Sequence, residues 1–264
     1  MKGLLSVSFG TSYEETRAKT IDVVDSLLAE SFGGWPFYTA WTSGNIIAKV
    51  REERGEMHDT LEEAFARMSA DGVDDLLVAT MCLMNGHEMR KIRQTAEAWA
   101  QDDSARTVRL AFPLMSSEGD RATIARAVFD EYADVPDDEA LVLMGHGSPH
   151  GPNEVYSQIQ ELLRGFGRER VFVATVEGEP TFEDALAAVK ESGVSRVHLA
   201  PFMIVAGDHA TNDLAGEEDD SWKNRFIANG FETTVNLKGL GELTAVQQLV
   251  VDHARAACVA SVES

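Results

Sequence analysis

The chain has 264 residues, 44% of them hydrophobic and 25% charged, which is typical of a globular protein with a hydrophobic core. Acidic residues outnumber basic residues 44 to 23, and the net charge of −21 excludes nucleic acid and anionic membranes as expected partners, because both would be repelled. The two cysteines are too few for a disulfide framework, and the apolar run near Met1 is too short for a signal peptide or a membrane span, so we expect a cytoplasmic protein.

Short apolar runs alternate along the chain with segments of helical periodicity. The apolar runs predict strands at residues 4–9, 76–84, 141–144, 171–176 and 197–205. The helical spacing predicts helices at residues 16–30, 60–69, 87–100, 121–132, 153–165, 181–192 and 244–257. Strands that alternate with helices in this way predict an α/β fold with parallel sheets and crossover helices.

The chain contains an internal repeat. GVDDLLVATMCLMNGHE (72–88) and GVSRVHLAPFMIVAGDH (193–209) align without gaps, and each half opens with a strand that ends in glycine and a hydroxyl residue, SVSFGTS (6–12) and VLMGHGS (142–148). We therefore predict two α/β lobes related by internal duplication, an N-terminal lobe at 1–133 and a C-terminal lobe at 134–264. The boundary is expected in the acidic, proline-containing segment 130–140, and the last helix is free to pack on the N-terminal lobe.

Ligands of open parallel sheets bind outside the carboxyl ends of the strands. That rule brings residues 8–13, 85–89, 145–150 and 207–212 to one cleft, together with Glu177 after the 171–176 strand. The repeat aligns His87 with Asp208 and Glu88 with His209, so both residues of the first pair are expected in the cleft. The residues predicted to bind a substrate there are Ser8, Thr11, Tyr13, His87, Glu88 and Ser148.

Three groups that follow apolar strands form the candidate catalytic and metal-binding set: His146, Glu177 and His209. Two neutral imidazoles and a carboxylate suit a divalent first-row metal such as Co²⁺, Ni²⁺, Fe²⁺ or Zn²⁺, and either imidazole could instead act as a base. The competing interpretation is that these are ordinary loop residues that form hydrogen bonds. The GHGS segment (145–148) matches neither a nucleotide-binding glycine motif nor a G-x-S-x-G nucleophile motif.

Taken together, these segments resemble one known family. The matching stretches include LLSVSFGTSYEETR (4–17), NGHEMRKI (85–92), MGHGS (144–148), VEGEP (176–180), HLAPFMIVAGDHATNDLAG (198–216) and GLGE (239–242). They are similar to the sirohydrochlorin cobaltochelatases of anaerobic cobalamin biosynthesis, the long single-chain class II chelatases. The resemblance implies two Rossmann-like lobes that hold a tetrapyrrole between them, and insertion of Co²⁺ into sirohydrochlorin or precorrin-2. It assigns the metal and the catalysis to His146, Glu177 and His209.

The same resemblance sets the expected partners. It implies no required cofactor, because the divalent metal is a substrate, with Fe²⁺ and Ni²⁺ as alternatives to Co²⁺. A small tetrapyrrole and the metal ion are the expected partners, and assembly into a homo-oligomer stays open. Because sirohydrochlorin carries carboxylate arms, we expect local basic contacts from Arg90, Lys91, Lys223 or Arg225.

Three other functions remain compatible with the sequence. One is a ferrochelatase that acts on sirohydrochlorin or another porphyrin. The second is a carrier that binds metal or tetrapyrrole without turnover. The third is a two-lobed solute-binding protein, which the absence of a secretion signal disfavours.

Overall fold

The computed structural model describes residues 1–148 and 153–259, and the chain forms two compact units. The first unit combines Met1–Ser116 with the chain from Gln247 onward, and the second unit is Ser117–Val246. The sequence-based boundary at 133/134 differs from this division, because the helix at Glu118–Glu131 packs against the helix at Glu154–Gly165 and belongs to the second unit.

The first unit is built on a four-stranded parallel sheet of order β2-β1-β3-β4. Its strands are β1 (Lys2–Ser8), β2 (Phe37–Trp41), β3 (Asp75–Thr80) and β4 (Thr107–Leu110). Its helices are α1 (Glu14–Lys19), α2 (Ile21–Ser31), α3 (Gly44–Arg54), α4 (Leu61–Ala70), α5 (His87–Gln101) and most of α10 (Thr244–Val259). One core of this unit lies between the sheet and helices α4 and α5.

The second unit repeats this arrangement with the parallel order β6-β5-β7-β8. Its strands are β5 (Ala140–Gly147), β6 (Val171–Glu177), β7 (Arg196–Phe202) and β8 (Glu232–Val235). Its helices are α6 (Glu118–Glu131), α7 (Glu154–Gly165), α8 (Phe182–Glu191), a π-helix (His209–Leu214), α9 (Trp222–Ala228) and a 3₁₀ turn (Leu240–Glu242). Equal strand orders confirm the predicted fold of two duplicated α/β sheets.

Several predicted element boundaries differ from those of the structure. The apolar runs predicted strands to residues 84 and 205, but β3 ends at Thr80 and β7 at Phe202. Further on, the carbonyls of Leu83 and Met203 accept hydrogen bonds from the amides of Met115 and Leu240, which lie outside the strands. The predicted helix 16–30 is broken at Thr20, whose φ of −122° and ψ of −83° are not helical. The predicted segment 145–150 extends past the described residues at its last two positions. Within residues 1–148 and 153–259, no helix is long and apolar enough to span a membrane.

The carboxyl group of Asp25, on α2, gives the first unit a pH-dependent stability. Burial raises the pKa of Asp25 to about 6, although a hydrogen bond from Ser6 opposes the shift. Since the unfolded pKa of an aspartate is about 4, the folded state holds this proton more tightly, and stability should fall as pH rises from about 4 to about 6.

We expect Asp25→Asn to raise the melting temperature at neutral pH and to lose that advantage below a pH of about 4. Thermal unfolding at both pH values checks this, with exposed Asp219→Asn as the control. Equal behaviour of the two variants would contradict it.

Candidate active site

His146 lies at the carboxyl end of β5, on the sheet face that carries the buried side chains of Val142 and Met144. Its ring is exposed, and its Nδ1 lies 3.1 Å from the carbonyl oxygen of Gly147. A carbonyl oxygen only accepts hydrogen bonds, so the contact places the proton on Nδ1 in the neutral ring. The Nε2 lone pair is therefore available to a metal ion or a proton.

The glycines on both sides of His146 allow close packing that side chains would prevent. Gly147 has a φ of +77°, and a Cβ there would lie 1.9 Å from the carbonyl oxygen of Glu177. A Cβ on Gly145 would lie 2.3 Å from the Tyr156 ring, whose hydroxyl accepts a 3.0 Å hydrogen bond from the Gly147 amide. Tyr156 and the end of β6 thus hold the strand end that presents His146. Tyr156 was not predicted as a site residue, because its position on the apolar face of a helix indicates only a residue of the hydrophobic core.

His209 is the first residue of the π-helix that follows β7. Its Nδ1 contacts the Oδ2 atom of Asp213, one turn further along the same helix. The carboxylate accepts this hydrogen bond, so the second imidazole also carries its proton on Nδ1 and presents Nε2 as the lone pair. Short π-helical turns are rare and occur often at functional sites.

The loop between β7 and the π-helix rests on the GLGE segment at 239–242. The Leu240 amide donates to the Met203 carbonyl at 2.8 Å, and the Gly241 amide donates to the Ile204 carbonyl at 2.9 Å. A Cβ on Gly239 would lie 2.5 Å from the Ile204 carbonyl oxygen. These contacts fix the path of the chain that leads to His209.

The two histidines lie together in the second unit although 62 residues separate them in the sequence. Their ring centroids are 4.8 Å apart and the ring planes are nearly perpendicular, at 86°. Edge-to-face rings with both Nδ1 atoms bonded to protein acceptors leave two Nε2 lone pairs for one ligand. The pair is the best-formed element of the candidate site.

Glu177 does not complete a three-residue metal site in this structure. It is exposed at the end of β6, in register with Gly147, so alternation puts its side chain on the opposite sheet face from His146. In the part of the chain that the structure describes, no group of three or more histidine, cysteine, aspartate or glutamate side chains is placed to hold a metal ion. The structure therefore brings two of the three predicted residues together.

Ser148 and the turn after Glu177 are joined through Asn153. The Ser148 amide donates to the Asn153 side-chain oxygen at 3.1 Å, and the Asn153 amide group donates back to the Ser148 carbonyl at 2.8 Å. Gly178, with a φ of +105°, allows the approach, since its Cβ would lie 2.5 Å from Asn153 Nδ2. Asn153 was not among the predicted site residues, and its role depends on contacts that sequence spacing does not reveal.

The predicted residues of the first unit lie at the carboxyl edge of its own sheet. Ser8 ends β1 and is 6% exposed, while Thr11 is 2% exposed and its hydroxyl accepts the Tyr13 amide at 3.2 Å. Thr11 therefore shapes the turn rather than a ligand surface. His87 is exposed as the first residue of α5, and half-buried Glu88 follows it.

The predicted basic residues differ in their surroundings. Lys223 forms an ion pair with Glu217 at 2.7 Å, and Arg225 pairs with Glu183 while its guanidinium lies 3.7 Å from the Phe182 ring centroid. Both side chains thus have local partners. The remaining two, Arg90 and Lys91, lie on α5 of the first unit, and Lys91 Nζ is 3.4 Å from the carbonyl oxygen of Thr42.

Asp213 should control the tautomer of His209. In Asp213→Asn, the side-chain amide can donate to Nδ1, which would move the ring proton to Nε2 and block that atom as a ligand or base. We expect a loss of about 10- to 100-fold in metal affinity or turnover. Isothermal titration with Co²⁺ and steady-state assays measure both quantities. Asn212→Asp, which alters charge one residue away, is the control, and an Asp213→Asn variant with unchanged values would refute the assignment.

Comparison with known proteins matches the whole chain. A family model described as cobalt chelatase (CbiK) matches residues 2–259. Sirohydrochlorin cobaltochelatase of Salmonella typhimurium strain LT2 is 36% identical over 262 residues, covering 99% of this chain and 98% of that protein. Sirohydrochlorin cobaltochelatase CbiKC of Nitratidesulfovibrio vulgaris strain Hildenborough is 29% identical over 257 residues, covering 97% and 90%.

A solved structure matches the fold. SirB from Bacillus subtilis with Fe³⁺ aligns with a TM-score of 0.67, covering 98% of this chain and 96% of that chain. The sequence identity of that alignment is 14%, so it supports the duplicated architecture alone.

Proposed function

Because this chain belongs to the cobalt chelatase (CbiK) family, we propose that it is a sirohydrochlorin cobaltochelatase, which inserts Co²⁺ into sirohydrochlorin or its reduced precursor precorrin-2. The observation that carries the proposal is the His146–His209 pair, with both Nε2 lone pairs available in one place. Similarity over nearly the full length to two sirohydrochlorin cobaltochelatases indicates that the substrate is sirohydrochlorin. The tetrapyrrole and the divalent metal ion are thus the proposed partners, in anaerobic cobalamin biosynthesis.

The reaction requires both a metal holder and a base. A macrocycle that takes up a divalent ion releases two pyrrole N–H protons, so charge balances as the metal enters. Each histidine serves both needs in turn: Nε2 first holds Co²⁺, and once the ion has moved to the macrocycle the same atom accepts a proton. The carboxylate of Asp213 beside Nδ1 then stabilises the imidazolium of His209.

Two imidazoles make a weak protein site, and weak binding suits an ion that must be passed on. Affinity for nitrogen ligands rises from Fe²⁺ through Co²⁺ to Ni²⁺, so the site accepts all three ions and cellular supply sets the choice. Glu177 is exposed at the neighbouring strand end. Because its side chain leaves the sheet on the face away from His146, we assign it no step in the transfer.

The test is anaerobic mixing of the protein with sirohydrochlorin and Co²⁺, followed by the absorbance change of the macrocycle against a sample without protein. A protein-dependent rate is expected. Parallel reactions with Fe²⁺ and Ni²⁺, and with a porphyrin that lacks carboxylate-rich arms, measure selectivity. Sirohydrochlorin binding without acceleration would indicate a carrier, and faster insertion of Fe²⁺ than of Co²⁺ would indicate a ferrochelatase.

A further inference from the structure

The loop that leads to His209 is held by a segment that is itself anchored elsewhere in the second unit. This supporting segment, residues 236–242, follows β8. At its start, the Asn236 amide donates to the Leu199 carbonyl of β7 at 2.9 Å. Further along, two amides of its GLGE part bond to the loop after β7. The supporting segment therefore runs beside β7 and on to the loop beyond that strand.

The supporting segment is packed closely enough against this loop that small movements are transmitted. Gly239 is buried, and a Cβ there would lie 3.0 Å from the amide nitrogen of Ala206. One residue further along the loop, the Gly207 carbonyl accepts hydrogen bonds from the Thr211 amide at 2.9 Å and from the Thr211 hydroxyl at 3.0 Å. Because close-packed interiors transmit strain, a shift of the supporting segment would move the π-helix that begins at His209.

Lys238 ties the supporting segment to the end of α6. Its Nζ lies 2.7 Å from Glu131 Oε2, and the two side chains are 33% and 22% exposed. The residues are 107 positions apart in the sequence, so the ion pair joins distant parts of the second unit. Salt and water screen a partly buried pair less than a fully exposed one, so this pair contributes more than an ordinary surface ion pair does.

A second carboxylate lies near this ion pair. Glu242 accepts a hydrogen bond from the Gly239 amide at 3.0 Å. Burial, together with the carboxylates of Glu131 and Glu242, raises the pKa of Tyr132, which places both carboxylates near one buried phenol. Lys238 bonds to one of these acids and precedes the glycine whose amide bonds to the other. Without this cation the two carboxylates would repel each other beside the supporting segment.

We propose that Lys238 is a positioning residue, which acts through the supporting segment to hold His209 beside His146. The two rings must reach one metal ion, and their centroids are 4.8 Å apart. A displacement of the π-helix by about 1 Å would therefore weaken metal binding and slow the transfer. The inference rests on the proposed function for the role of the metal, whereas the position of the His209 ring can be measured without metal.

NMR of the imidazole ring nitrogens in the metal-free protein is the first measurement. In Lys238→Met, which removes the charge but keeps a long side chain, we expect the His209 signals to shift or broaden, while those of His253 on α10 stay unchanged. Lys238→Arg keeps the cation and should restore the wild-type signals. Lys190→Met is the matched control, because Lys190 Nζ is also 2.7 Å from its partner, the Asn229 side-chain oxygen, and lies on α8 of the same unit.

Isothermal titration with Co²⁺ is the second measurement. Lys238→Met should bind Co²⁺ about tenfold more weakly than the wild type, and Lys238→Arg within about twofold of it. In a His209→Ala background, Lys238→Met should have no further effect on the affinity, because the ring through which it acts is absent. General destabilisation would instead weaken binding in both backgrounds. Thermal unfolding of each variant confirms that it is folded.

The outcomes separate this inference from the proposed function. If the wild type inserts Co²⁺ but Lys238→Met leaves the His209 signals and the Co²⁺ affinity unchanged, the positioning role is refuted and the chelatase proposal stands. An effect of Lys238→Met that persists in the His209→Ala background would also refute it, since the role would then be structural only. If Lys238→Met moves the His209 signals but the wild type does not accelerate insertion, the positioning role stands and the chelatase proposal fails.

Discussion

The double variant His146→Ala/His209→Ala is expected to lose about 10²- to 10⁴-fold in the protein-dependent rate of Co²⁺ insertion, because it removes both Nε2 atoms that hold the metal and accept protons. Since the two rings act on one ion, each single variant should lose nearly as much as the double variant. Steady-state rates with sirohydrochlorin and Co²⁺ measure the effect.

His253→Ala is the matched control for that experiment. His253 lies on α10 of the first unit, where its Nδ1 is 2.9 Å from the Phe112 carbonyl oxygen. Removing this imidazole should leave the rate of insertion within twofold or so of the wild type, since surface changes away from a site usually have small effects. A double variant that retained the wild-type rate would place the chemistry elsewhere in the chain.

Gly147→Ala is expected to lower the free energy of unfolding by about 3 kcal/mol or more. The left-handed φ of +77° is one cause, and the other is the carbonyl oxygen of Glu177, 1.9 Å from where the Cβ would lie. That oxygen is backbone at a strand end and cannot rotate away, so β5 and β6 must separate. Urea unfolding measures the change, and the rate of Co²⁺ insertion should fall with it because His146 moves.

Gly193→Ala isolates the contribution of the backbone conformation. Gly193 has a φ of +70° in the same unit, but nothing lies within 4 Å of its Cβ position. Its substitution should cost only about 1 kcal/mol, without loss of activity. Equal destabilisation by the two variants would show that the close approach at Gly147 is not what requires glycine there.

The central strands could be predicted from the sequence because they are buried on both faces. β1, β3, β5 and β7 each contain a run of apolar residues, and such runs are recognisable by composition alone. β4 and β8 are short edge strands in which no residue is fully buried, so they lack the apolar signal and were missed. The strand-end rule also located His146, which lies near the carboxyl end of β5, and His209, which lies in the segment that follows β7.

What supports the histidines could not be predicted, because it depends on tertiary contacts. The π-helix that begins at His209 could not be predicted, because helical periodicity describes a regular α-helix and a π-helix has a different repeat. The sequence pattern predicts Tyr156 only as a core residue, whereas the structure shows that its hydroxyl accepts a hydrogen bond from the Gly147 amide. Glu177 was predicted to join the histidines, but the structure does not place it with them. Its position at a strand end does not determine the sheet face on which its side chain emerges.

The division of the chain between the units has a consequence for its folding. All of the second unit, Ser117–Val246, is contiguous, whereas the first unit needs the segment from Gln247 onward, in which Cys258 and His253 contact the β4 region. The second unit can therefore form its core from one stretch of chain, whereas the first unit must close a loop that contains the whole second unit. On refolding from denaturant, the metal-handling half should reach its native fold before the other half.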